Sequence, residues 1–114
     1  MSEMLELICD ALEPLGPVTA RRMFGGHGLF IDGLMFGLVA DDVLYLKVDS
    51  INWPHYEAAD LPRFTYQRQG KTIALSYAEA PAECLEDSEV ALSWAGAALA
   101  AAMRNRKPTG SQAR

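Results

Sequence analysis

Two residues, Asp32-Gly33, do most to limit what this chain can become. They stand between Gly28-Leu29-Phe30-Ile31 and Leu34-Met35-Phe36-Gly37-Leu38-Val39. Both tolerate positive φ, which a two-residue hairpin turn requires at its centre, so the flanking runs are predicted to pair as antiparallel strands. Asp41-Asp42 turns the chain again, into Val43-Leu44-Tyr45-Leu46-Lys47-Val48. Residues 18–48 are therefore expected to form a three-stranded meander.

A tight turn fixes register, and register fixes faces. Counting outward from Asp32-Gly33 sets Ile31 against Leu34, Leu29 against Phe36 and Gly28 against Gly37. One face then carries Gly26, Gly28, Phe30, Met35, Gly37, Val39, Leu44, Leu46 and Val48. Its glycines line a hollow into which a helix or Trp94 would fit. The other face carries His27, Leu29, Ile31, Leu34, Phe36, Leu38, Val43, Tyr45 and Lys47. An antiparallel sheet with one wet face alternates polar and apolar residues, and this ribbon is apolar on both sides. A second copy of the chain is the simplest cover, because a two-fold axis lets one patch meet itself. Leu29, Ile31, Leu34, Phe36, Leu38 and Tyr45 are the expected homodimer interface.

The rest of the chain supplies helices and a second hairpin. Leu5, Ile8, Leu12 and Leu15 fall on one stripe of a helix over 3–13, with Ser2 as its cap and Pro14, Gly16 and Pro17 as its stop. Residues 50–60 suggest a short helix capped by Asp49, Ser50 or Asn52. Arg63–Gln69 and Lys71–Tyr77 pair around Gln69-Gly70 or Gly70-Lys71, with Phe64, Tyr66, Ile73, Leu75 and Tyr77 on the buried face. Pro81 to Asp87 reads as a helical turn, and Asp87 or Ser88 then caps a helix over roughly 88–106. The order α-β-β-β-α-β-β-α has no repeating βαβ unit. It predicts an α+β two-layer sandwich: an antiparallel sheet of about five strands with helices packed on it. Residues 1–106 are expected to form one domain and residues 107–114 a flexible tail.

Charge narrows the partners. The chain carries a formal net charge of −5. Residues 1–100 hold all fifteen acids but only six bases, and the remaining four bases fall in 101–114. The body should repel nucleic acid, while the basic end suits the C-terminus of a helix. No run approaches the roughly 18 apolar residues of a membrane span. Met1-Ser2-Glu3-Met4 is too acidic for a secretory signal. Cys9 and Cys84 match no metal or redox spacing, which points to a reduced, cytoplasmic protein without metal or cofactor.

Catalytic chemistry finds little support. Met23-Phe24-Gly25-Gly26-His27-Gly28 is glycine-rich, but a strand follows it rather than the helix N-terminus that a phosphate loop needs. A β-bulge with close backbone packing explains it better. His27 falls among leucines and reads as a packed or interface histidine. Arg21 and Arg22 are candidates, with His27, for contact with an anion or an acidic partner.

The string from Arg22-Met23-Phe24-Gly25-Gly26-His27-Gly28 through Asp32-Gly33, Phe36-Gly37 and Asp42-Val43-Leu44-Tyr45-Leu46-Lys47-Val48-Asp49 resembles the N-terminal domain of the TfoX (Sxy) family of competence regulators. Phe64-Thr65-Tyr66 and Trp94-Ala95 continue the resemblance, which spans roughly residues 3–106. It implies an α+β domain in this element order, no known enzymatic activity and frequent self-association. TfoX-type regulators also carry a second, helical domain resembling nucleic-acid-binding hairpins, for which 114 residues leave no room. The expected function is a non-enzymatic regulatory module that binds proteins and itself. The alternatives are a transcription-linked accessory with weak nucleic-acid contact, and a small-molecule-binding domain using the glycine hollow and His27.

Overall fold

The computed structural model describes residues 3–106; the expected Ser2 cap and the 107–114 tail lie outside them. Helix α1 (Glu3–Ala11) runs into a short 3₁₀ turn at Glu13–Leu15. Strands β1 (Thr19–Met23), β2 (Gly26–Ile31), β3 (Leu34–Ala40) and β4 (Val43–Lys47) follow. Then come helix α2 (Trp53–Ala58), strands β5 (Arg63–Arg68) and β6 (Lys71–Glu79), a 3₁₀ turn at Ala82–Leu85, and helix α3 (Ser88–Asn105). All six strands form one antiparallel sheet in the order β1-β2-β3-β4-β6-β5. The fold is α+β, as the patterning implies, with six strands rather than about five.

The additional strand comes from a turn that the sequence disguises. Phe24 and Gly25 both have positive φ, 52° and 79°, and fold β1 back onto β2. A large aromatic rarely enters the left-handed region, so Phe24 gives no turn signal. Three further pairs behave alike: Asp32-Gly33, Asp41-Asp42 and Gln69-Gly70 all have positive φ at both positions. Each is a two-residue loop whose handedness matches the twist of its flanking strands. The Gln69-Gly70 loop sets Arg68 against Lys71.

Register is where expectation and structure part. Ile31 pairs with Leu34 and Phe30 with Met35, but Leu29 pairs with Gly37 and Gly28 with Leu38. Phe36 is an extra residue on β3, a β-bulge that shifts all later pairings by one. Such a shift reverses the face of every residue beyond it. Leu29, Ile31 and Phe36 accordingly lie under the helices with Val39, Leu44, Leu46 and Val48. Leu38 lies on the opposite face with Ala40, Phe64 and Tyr77, packed by Met23, Met35, Tyr45 and Tyr66.

Helix α3 crosses β3 and β4, with α1 against it. Ala91, Ala95, Ala98 and Ala102 are buried, and their small side chains let α3 approach closely. Leu5, Ile8 and Leu12 complete this core from α1 and the residue after it, as their spacing predicts. Asp87 caps α3, its carboxylate accepting from the Glu89 and Val90 amides.

The face away from the helices is covered by the sheet itself. The Phe24 ring lies 5.1 Å from that of Tyr66 and 6.4 Å from that of Phe64. Phe24 follows β1 at one edge of the sheet, and both partners belong to β5 at the other. The sheet therefore curls until its edges meet over a second, smaller core.

Candidate functional site

The six residues expected to form one interface do not share a face. Leu29, Ile31 and Phe36 are buried beneath the helices, and Leu34 packs against that same core. Leu38 is buried in the second core, with Tyr45 against it. The bulge at Phe36 divides the set, and curling of the sheet packs Leu38 and Tyr45 within the chain.

The glycine hollow is divided too. A Cβ on Gly28 would meet Met23 Sδ at 2.8 Å and Met35 Cε at 3.1 Å, so side chains fill that space on the second face. A Cβ on Gly37 would meet Leu29 Cδ1 at 3.3 Å, beside the first core. Trp94 fills neither space. It packs edge-on against Tyr56 at 4.9 Å, with His55 at 6.5 Å.

Neighbours on a strand point to opposite faces, which separates Arg21 from Arg22. The Arg21 guanidinium stacks on Phe30 at 4.6 Å on the second face. Arg22 pairs across β1 and β2 with half-buried His27. The structure thus joins two of the three candidate contact residues and sends the third elsewhere. Among the described residues, no three of His, Cys, Asp and Glu are grouped to hold a metal ion.

A groove that the sequence pattern did not reveal runs between α1 and the start of α3. It has a volume of about 560 Å³. Met4, Ile8, Leu44, Cys84 and Ala91 contribute apolar walls. Leu7 and Leu85, also in its lining, are 69% and 51% exposed. Leu7 departs from the buried stripe of α1, and that departure is the sole sequence signal for the groove. Glu3, Glu86 and Asp87 are the charged residues in the lining, and no base accompanies them. Burial pushes the Cys84 thiol up to about 11, with Glu83 adding to the effect, so this sulfur packs rather than reacts.

Asp49 organises the far end of α3. Its carboxylate accepts from Arg104 Nε at 2.8 Å, Arg104 Nη2 at 2.9 Å and Asn105 Nδ2 at 3.0 Å. It also accepts from the Ile51 and Asn52 amides before α2. Asn52 is buried and answers by accepting from the Asp49 amide and donating to the Lys47 carbonyl. The Arg104 guanidinium holds the Asp49 carboxyl well below the usual carboxylate range, helped by the amides and Asn105. Asp49 thus ties the β4–α2 loop to the last turn of α3, while α2 has Asn52 at its N-cap position and no side-chain cap bond.

Among the described residues, no helix is long and apolar enough to cross a membrane. Two curated relatives share part of the sequence. One is the DNA transformation protein TfoX1 of Aliivibrio fischeri (strain ATCC 700601 / ES114), 31% identical over 77 residues, covering 68% of this chain and 37% of that protein. The other is the Sxy protein of Escherichia coli (strain K12), 28% identical over 68 residues, covering 60% of this chain and 32% of that protein. The matched stretch thus spans about a third of each relative. Residues 10–102, which hold the whole sheet, α2 and most of α3, match the TfoX N-terminal domain, and the chain belongs to that family.

Proposed function

We propose that this domain is a non-enzymatic regulatory module that works by docking a basic, amphipathic segment of another protein into the groove between α1 and α3. The observation that carries this reading is the exposure of Leu7 and Leu85 beside an apolar wall. Exposed leucines that converge on one concavity mark a surface that gains by being covered. A helix with an apolar stripe fits such a groove, and the acids in the lining select lysine or arginine on its flanks. The name of the Aliivibrio fischeri relative, a DNA transformation protein, supports a role in the control of competence. Two cysteines held as free thiols suit the reducing cytoplasm.

The test is a titration with a fluorescent leucine–lysine amphipathic peptide and its leucine–glutamate counterpart. The lysine peptide is expected to bind, more weakly as salt rises, and Leu7→Asp or Leu85→Asp should weaken it roughly tenfold, about 1.4 kcal/mol. Equal binding of both peptides, or of wild type and variants, would overturn the reading. Light scattering on the same samples examines the other occupant. A dimer of the 12.5 kDa chain that Leu7→Asp dissolves would assign the groove to a second copy instead.

A further inference from the structure

A second cavity lies at the opposite end of α3 from the groove. It has a volume of about 490 Å³ and is lined by residues that include Lys47, Ser50, Arg63 and Ser76. Asp49 is its one acid, and Arg104 already neutralises it. Asp49 also acts on Lys47 at longer range, but among the described residues neither Lys47 nor Arg63 has a carboxylate in ion-pair range. The Lys47 ammonium donates to Ser76 Oγ at 2.8 Å and sits 5.3 Å over the Tyr77 ring. The Arg63 guanidinium lies over Trp53 at 4.7 Å. A guanidinium stacked on a ring keeps its N–H edge for another acceptor.

Two cations line one cavity in a chain of net charge −5. Burial works against the Lys47 charge and outweighs the support it gets from Asp49; an anion in the cavity would add to that support. Ser76 Oγ accepts from Lys47 and so retains its own hydrogen to donate, as does the Ser50 hydroxyl in the same lining. Ammonium, guanidinium and two hydroxyls belong to the β4 end, the following loop, the β5 start and β6. A planar carboxylate offers two oxygens to such a set, whereas a phosphoryl group offers three and up to two charges.

We propose that this cavity is a binding site for a phosphoryl group, carried by a free phosphate ester or by a phosphorylated side chain, with Lys47 and Arg63 as its charge partners. The site is independent of the peptide groove and shares no lining residue with it.

The experiment follows backbone amide resonances of the whole chain while inorganic phosphate and pyrophosphate are added at constant ionic strength. Saturable shifts are expected at Lys47–Ser50, Arg63 and Ser76. Lys47→Gln and Arg63→Gln should each weaken binding roughly tenfold while the spectrum stays dispersed, and Arg22→Gln should leave it unchanged. Unsaturated shifts into the tens of millimolar, equal affinity in the two cavity variants, or shifts centred on Arg21 and Arg22 would each overturn the proposal. Comparing free phosphoserine with a phosphoserine peptide separates the sources. Tighter binding of the peptide assigns the site to a phosphorylated partner, and equal or weaker binding to a free ester.

Discussion

The Tyr77 hydroxyl donates to the main-chain carbonyl of Met35 at 3.0 Å, a link between β6 and β3 across the intervening β4. Met35 immediately precedes the bulged Phe36, so the bond is made where the ladder between β2 and β3 changes register. It fastens the second core to the feature that created it. Burial pushes the Tyr77 phenol up to about 12, which keeps it a donor across the physiological range.

Tyr77→Phe is expected to cost about 1 kcal/mol, since a half-buried carbonyl loses its partner. Tyr56 gives the opposite case. Its hydroxyl is buried without a hydrogen-bond partner, the one such side-chain atom among the described residues. Tyr56→Phe should be neutral or stabilise by up to about 1 kcal/mol, because no bond is lost and a stranded polar group is removed. Urea denaturation of both variants checks the pair, and equal losses would contradict the hydrogen-bond assignment.

Phe36→Glu separates a core residue from an interface residue. An outward Phe36 would accept the charge and only change the mass of the assembly. Phe36 is fully buried, so the expected outcome is loss of folding, with a cost beyond about 4 kcal/mol. Circular dichroism reads this directly, and a folded variant with a native melting curve would refute the observed register.

Adjacent glycines should respond differently to alanine. A Cβ on Gly26 would lie 2.0 Å from the Val39 carbonyl oxygen, a backbone atom that cannot yield without moving β3. Gly26→Ala is expected to cost about 3 kcal/mol or more. Gly25 has open space around it but a φ of +79°, so Gly25→Ala should cost about 1 to 2 kcal/mol from backbone strain alone. Thermal melts of the two variants give the order.

Acid should loosen the Asp49 junction. Its carboxyl titrates lower in the folded chain than in the unfolded one, so folding gains from the carboxylate form. That gain is complete above the unfolded carboxylate value, about 3.9, and is lost as pH falls below it toward the folded value. Asp49→Asn should lower stability near neutral pH and flatten its decline in acid. Denaturant titrations between neutral pH and the acid limb measure both effects, and an unchanged slope would exclude Asp49 as a source of the acid sensitivity.

What the sequence determined by itself was mostly local. Asp32-Gly33, Asp41-Asp42 and Gln69-Gly70 announce their turns because Asp, Gln and Gly choose backbone conformations within a few residues. Leu5, Ile8 and Leu12 announce a buried helical stripe, and Asp87 its cap, for the same reason. Family membership was legible in the string from Arg22 to Asp49, which contains these turns. Phe24-Gly25 was not, because an aromatic at positive φ is stabilised by Phe64 and Tyr66, forty residues away.

Only the tertiary structure decided which side of the ribbon each residue faces. A bulge at Phe36 costs little in sequence terms, since Phe36 and Gly37 read alike in either register. It becomes favourable when Leu29, Ile31 and Phe36 all reach one core while Leu38 reaches another. Edge-to-edge curling then buried Leu38, Ala40, Phe64 and Tyr77 on the second face, and exposed leucines emerged at Leu7 and Leu85. Lys47 and Arg63 are ordinary strand residues until β4, β5 and α3 converge and Arg104 pairs with the acid in their shared lining, Asp49. Compensation among distant charges depends on three-dimensional distance, which residue spacing along the chain does not encode.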